Sequence, residues 1–343
     1  MFFLWFFFHV VFAFVLFFNK RLQFFFSIIV FFPIALIYLV KEPTYDLVFY
    51  YKYFENAWTY LEPGFRFLVL ILNKLLAANS FLIHIAFQFI SMLLIFYTSK
   101  KLFFDENQKK KNFYLFIPVT VITFYTLFYL LGSQNNLRQF IAFIISFIGF
   151  LYLLNNQKIK SLLLFALSMT FHFASIFYFP LFFLIKIFKN QRLLIYCISF
   201  FGGILIYSIM VMYLSDHYGV QFYMTFQDQA GFEKDRSGLI KIILLSLIIF
   251  VTNFIFKSCK EFSSESIKLL LTFRMTLFSY ILIFAMTGLY ELWSRIIFAF
   301  YFIDLLLISY IAFIKTTQKY RFSCVLIILS YAIAPNAKNI LSG

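Results

Sequence analysis

The chain has 343 residues, of which 63% are hydrophobic, 13% are charged and 57 are phenylalanine. That much apolar surface exceeds what a water-soluble domain buries, so the solvent is lipid. The net charge of +15 does not mark a nucleic-acid partner, because Lys and Arg fall mainly in short loops between apolar runs, as the positive-inside rule expects.

Apolar windows of roughly 17 to 25 residues, the length that crosses a bilayer as helix, recur through the chain without an internal repeat. They predict one all-α, polytopic integral membrane domain over residues 1–343, with about 11 to 12 transmembrane or re-entrant helices. The start, MFFLWFFFHVVFAFVLFFNKR, lacks the basic n-region and small-residue cleavage site of a secretory signal, and reads as a retained first helix. The basic loop at Lys20 and Arg21 then lies inside and the N-terminus outside.

KEPTYDLVFYYKYFENAWTYLEP, residues 41–63, has more acid than base and is expected as an outer loop. Asp46, Tyr50 and Tyr53 fall at i, i+4 and i+7, one helical face. Such a face suits an interfacial aromatic belt, or acids and rings set against a sugar. KKLFFDENQKKKN, residues 100–112, carries five lysines and is placed inside. GSQNNLR is then outside, NNQKIK and KIFKNQR inside, and the acidic stretch 215–238 outside. KSCKEFSSESIK follows inside, LYEL outside and KTTQKYR inside.

Two stretches break this alternation. Between the outer loop and Lys100 lie two apolar runs where an odd number of crossings is required. Residues 161–185 must start and end inside, yet form one apolar run with His172 near its middle. Either the charge rule fails locally, or both stretches contain broken or re-entrant helices, which persist only when packed in protein or lining a wet cavity. EPGF at 62–65 and FHFAS at 171–175 are the expected break points.

On this topology Asp46, Glu62, Arg138, Glu291 and Arg295 gather on the outer face, with His172 if its helix turns back there, and intramembrane ionisable groups are functional candidates by default. Each has a plainer reading. Arg138 could snorkel as an interfacial anchor, Arg295 could simply pair with Glu291 at i−4, and His172 could be a packing residue. Asn135, Asn136 and Gln139 put amide groups beside the Arg138 guanidinium, a combination suited to phosphate or sugar oxygens. Asp304, deeper in its helix, reads as glue between helices. Asp216, His217 and Asp228 lack a metal-ligand spacing, and Cys197, Cys259 and Cys324 have no paired spacing, so no metal site or structural disulfide is expected.

The order of landmarks is an Asp with nearby tyrosines, EPGF, LRQFIA, FHFAS, and a late R-x5-Y formed by Arg295 and Tyr301. It resembles the EpsG/Wzy-type polysaccharide polymerase family of bacterial inner membranes, over roughly residues 41 to 310. The resemblance implies a multi-pass inner-membrane glycosyltransferase of GT-C-like helical fold. It would join undecaprenyl-diphosphate-linked oligosaccharide repeats into O-antigen or a related surface polysaccharide at the periplasmic face. A chain-length regulator protein is an expected partner, besides the lipid-linked substrate and the bilayer.

That chemistry suits these residues. Negative charge develops on the departing diphosphate, and Arg138 and Arg295 are the candidates to neutralise it. The acceptor hydroxyl needs a base, for which His172 is the first candidate and Glu62 or Asp46 the competitor. Gln139, Asn135, Tyr50 and Tyr301 are candidate substrate contacts. No metal or other cofactor is required if arginines neutralise the charge. A flippase or transporter of the same lipid-linked sugar is the alternative, although no inverted repeat is visible. A membrane acyltransferase is a third reading, without an inward-facing His site to support it.

Overall fold

The computed structural model describes residues 52, 54, 62–103, 120, 137–209, 236–258, 265–286, 290–310, 324 and 327. They form helices and turns, with no strand among them. The helices are α1 (Pro63–Leu75), α2 (Ser80–Phe103), α3 (Leu137–Leu154), α4 (Lys158–Phe171), α5 (Tyr178–Ile187), α6 (Arg192–Ile209), α7 (Arg236–Ser258), α8 (Glu265–Met286) and α9 (Tyr290–Tyr310). A 3-10 segment, Phe173–Phe177, joins α4 to α5. Apart from residues 52, 54, 62 and 63, the expected outer loop 41–63 lies outside the described residues, as does 215–238 but for its last three.

Two of these helices, α2 and α3, are long and apolar enough to cross a bilayer, with mean hydropathies of 1.9 and 2.0. The side-chain distribution of α2 identifies its solvent. Its exposed face carries Phe81, Leu82, Phe89, Leu93 and Tyr97, whereas its buried face holds His84, Gln88, Ser91, Thr98 and Ser99 among Ile83, Phe87 and Ile95. Water would draw the polar face outward, and lipid reverses the preference because no partner waits outside for a hydroxyl or amide. Ser91, Thr98 and Ser99 instead donate to carbonyls one turn earlier. The chain is a membrane protein.

The chain divides into two compact units, residues 1–179 with 305–343, and residues 180–304. In the first, Phe54, Phe65, Val69, Leu72, Ile83, Phe87, Leu137, Ile141 and Ile145 form one buried cluster. Phe87 stacks on both Phe54 and Phe65, at 5.6 and 5.0 Å between centroids. α3 is buried along nearly its whole length. It pairs with α4 through a reversal at Asn155–Gln157, where Asn156 takes φ 60°, a left-handed setting that Asn tolerates better than most residues. At the reversal end, Lys101 Nζ sits 3.6 Å over the Tyr152 ring and Lys160 Nζ 5.7 Å from it. In the second unit α6 packs on α8, where a Cβ at Gly203 would stand 2.8 Å from the Tyr280 ring.

The expected interruption at FHFAS is present. α4 ends at His172, whose φ of −161° and ψ of 121° are extended, and the chain resumes as the 3-10 segment. The break stays hydrogen-bonded: His172 N–H donates to Ser168 O, Ser175 N–H donates to His172 O, and the Ser168 and Ser175 hydroxyls are 3.1 Å apart. At EPGF, Glu62 is non-helical and Pro63-Gly64 begins α1, because Pro at the first helical position has no N–H to satisfy; residues 55–61 before it lie outside the described ones. The two apolar runs separate at Leu76–Asn79, through positive φ at Ala77 and Ala78. There the Asn79 side chain accepts the Leu82 N–H to start α2. At 13 and 14 residues, α1 and α4 rise only about 20 Å each, short of the ~30 Å hydrocarbon core.

Candidate active site

An antiparallel hairpin brings its two open ends together. Arg138 stands in the first turn of α3 and His172 just past the last turn of α4, so the α3–α4 hairpin sets both at the end opposite the lysines. α1 supplies the third member, since Glu62 is its N-cap residue. The approach is close: a Cβ on Gly64 would lie 2.2 Å from Thr170 Oγ1, 2.8 Å from Thr170 Cβ and 3.0 Å from its carbonyl oxygen. Only glycine lets the start of α1 lie against the last turn of α4.

Glu62 then uses both carboxylate oxygens. Oε2 accepts from Arg138 Nη1 at 2.5 Å, and Oε1 lies 2.7 Å from His172 Nδ1. All three side chains are partly buried, between 15 and 24% exposed. Helix ends favour two of the placements, a carboxylate at the start of α1 and an imidazole at the end of α4. Burial alone would push the Glu62 carboxyl up. The hydrogen bond from His172 and the Arg138 guanidinium outweigh it, with help from a backbone hydrogen bond, and hold the group at about 2. Glu62 is therefore a fixed anion, and the nearby cation and imidazole are organised around it.

Other expected site residues fall differently. Gln139 is buried in α3 beside Arg138. Tyr301 is half-buried on α9 in the second unit, and Arg295 belongs to the same helix, its side chain outside the described ones. Asp46, Tyr50 and Asn135 lie outside the described residues.

The second unit holds a polar cluster of another kind. Arg274 on α8 is fully buried and donates through Nε to Asp304 on α9. It also donates through Nη1 to Asn253 Oδ1 at 2.8 Å and through Nη2 to the Thr252 hydroxyl, both on α7. Phe256 and Phe300 flank the guanidinium at 5.3 and 5.1 Å. Asp304 is thus the interhelical glue that its depth suggested. Its partner was passed over, although an arginine inside the apolar run KLLLTFRMTLF carries the same signal. With both charges at zero exposure, this cluster joins helices and offers no surface to a substrate. Among the described residues no three His, Cys, Asp or Glu side chains gather as metal ligands.

Compared with known proteins, residues 23–341 match the EpsG family. No curated protein and no solved structure matches the chain.

Proposed function

Because the chain belongs to the EpsG family, whose members are Wzy-like polysaccharide polymerases, we propose that it joins undecaprenyl-diphosphate-linked oligosaccharide repeats into O-antigen or a related surface polysaccharide. The observation that carries this reading is the Glu62 carboxylate held between Arg138 and His172. Transfer of a glycan from a lipid diphosphate needs a base for the acceptor hydroxyl and a cation for the leaving group, and the cluster supplies both.

His172 is the base. Its Nδ1 faces the Glu62 carboxylate and carries the ring proton there, so in neutral imidazole Nε2 holds the lone pair. The acceptor hydroxyl gives its proton to Nε2 as its oxygen bonds to the anomeric carbon. The bond from that carbon to the diphosphate oxygen breaks, and the electron pair leaves with the lipid diphosphate. Glu62 positions the ring and balances the imidazolium that forms. A carboxylate held at about 2 is too weak a base to take the hydroxyl proton itself. Arg138 faces the leaving group. A guanidinium has five donors in a fixed fork, so it serves a carboxylate and a phosphate oxygen together.

Orientation supports the same reading. Lys101 and Lys160 mark the inner face by the positive-inside rule, and the cluster lies at the other end of the α3–α4 hairpin. That placement supports the reading of a multi-pass protein of the bacterial inner membrane, GT-C-like and with its site facing the periplasm. Arg295, Asp46, Tyr50, Tyr301, Asn135 and Gln139 remain candidate contacts for the diphosphate and sugars, and a chain-length regulator a candidate partner.

The test is a gel of surface glycan from a strain lacking this gene, complemented with wild type or Arg138→Ala. The expected result is a ladder that collapses to a single-repeat band on deletion and returns only with wild type. Loss of the single-repeat band as well would place the fault in export and favour the flippase.

A further inference from the structure

Arg66 lies one turn along α1 from Glu62, and its backbone N–H donates to the Glu62 carbonyl at 3.0 Å. An acid and an arginine four residues apart on a helix ordinarily pair. Here the acid is taken: both Glu62 oxygens are engaged by Arg138 and His172. The salt bridges among the described residues do not include Arg66. Its Nε is buried without a hydrogen-bond partner among the described residues, although the residue as a whole is only partly buried. A buried donor left unmade is costly, and in a native protein such a group asks for a ligand. Positions four residues apart on a helix lie on one face, so Arg66 is on the side of α1 that carries Glu62. Arg66 adds a second arginine to the α1 segment that Glu62 begins, whereas the Glu62 charge is paired with Arg138.

We propose that Arg66 is a second diphosphate-binding residue, completing with Arg138 a two-arginine clamp for a lipid-linked diphosphate. This rests on the polymerase reading and deepens it. Arg138 is balanced by Glu62 and meets one phosphate, whereas Arg66 has no counter-ion among the described residues and supplies the preference for a second phosphate. Lying one turn in from the helix start, roughly 6 Å along its axis, it sits where a headgroup that enters from the bilayer side passes.

The experiment titrates the full-length protein in detergent micelles with farnesyl diphosphate, farnesyl monophosphate and farnesol by calorimetry. Wild type is expected to prefer the diphosphate. Arg66→Gln should lose about tenfold of diphosphate affinity, as for one charge-assisted contact, with monophosphate affinity little changed. Lys74→Gln, at the far end of α1, should match wild type. Arg66→Lys keeps the charge without the fork, covers the case where the glutamine variant does not fold, and should lose part of the preference. An undiminished diphosphate preference in whichever Arg66 variant folds overturns the assignment, as does an equal loss for all three lipids. Loss on Arg138→Gln but not on Arg66→Gln removes Arg66 alone. A wild-type protein that binds farnesol as well as the diphosphate removes the polymerase reading's lipid donor and this inference with it.

Discussion

Glu62 binds Arg138 through one carboxylate oxygen and His172 through the other, at 2.5 and 2.7 Å. The three belong to segments separated by 76 and 110 residues, and one carboxylate fixes the orientation of both partners. Since the anion faces a cation and an imidazole at once, substitutions at the three positions should behave as one unit with distinct signatures.

His172→Ala should lower polymerisation by about 10² to 10⁴-fold, the share of a positioned general base. Glu62→Gln keeps the shape but removes the fixed charge, and should cost about 10 to 100-fold, the usual effect of an orienting partner. The double variant should be little worse than His172→Ala alone, because Glu62 acts through the ring. Turnover of a lipid-linked repeat by purified protein measures this. Independent, multiplicative losses would show that Glu62 acts apart from the histidine.

Gly64→Ala introduces a Cβ against Thr170 Oγ1, Cβ and carbonyl oxygen at once. Two of those atoms cannot swing away, so α1 and α4 must separate, at a cost of about 1 to 3 kcal/mol. Activity should fall further than stability does, because the separation pulls Glu62 off His172. Thr170→Ala in the same chain removes only the hydroxyl and methyl, and should restore part of the melting temperature and little of the activity.

Acid should loosen the cluster in a defined window. The Glu62 carboxyl is lowered from 4.5 to about 2 in the folded protein. A lowered carboxylate contributes stability that is complete above the unfolded value of 4.5 and is lost as pH falls through about 2. The difference in thermal unfolding between wild type and Glu62→Gln should therefore be constant from pH 8 to about 5 and shrink steadily below. A difference that fell between pH 8 and 6 would mean that another group sets it.

Arg274→Ala leaves Asp304 as a buried charge without its partner. It should destabilise the protein by about 3 to 5 kcal/mol, read as loss of folded protein in detergent. The paired replacement Arg274→Met with Asp304→Leu removes both charges and should recover most of that loss. Polymerising activity should follow the folded fraction in both variants, because the cluster is sealed from any substrate.

The sequence alone determined the class of this protein. Lipid as solvent follows from 57 phenylalanines and from runs of crossing length, and it requires a helical backbone because unpaired peptide groups cannot stand in hydrocarbon. The break at His172 was legible as one of two readings, since the lysines on either side of 161–185 fit a single crossing only if the charge rule fails there. So were Glu62, Arg138 and His172 as candidates, because charge in an apolar segment is expensive enough to need a reason. Their contacts were not legible. The fold sets Glu62 between a guanidinium and an imidazole, and a carboxylate's basicity depends on neighbours that only folding supplies. Pro63-Gly64 was legible as a break point, but not that Pro63 begins a helix there, because local propensity does not tell the start of a helix from its interruption. Arg66 drew no notice, since an arginine four residues after a glutamate is ordinarily its partner. Only the tertiary structure gave that glutamate to other side chains, and so left the arginine without one among the described residues.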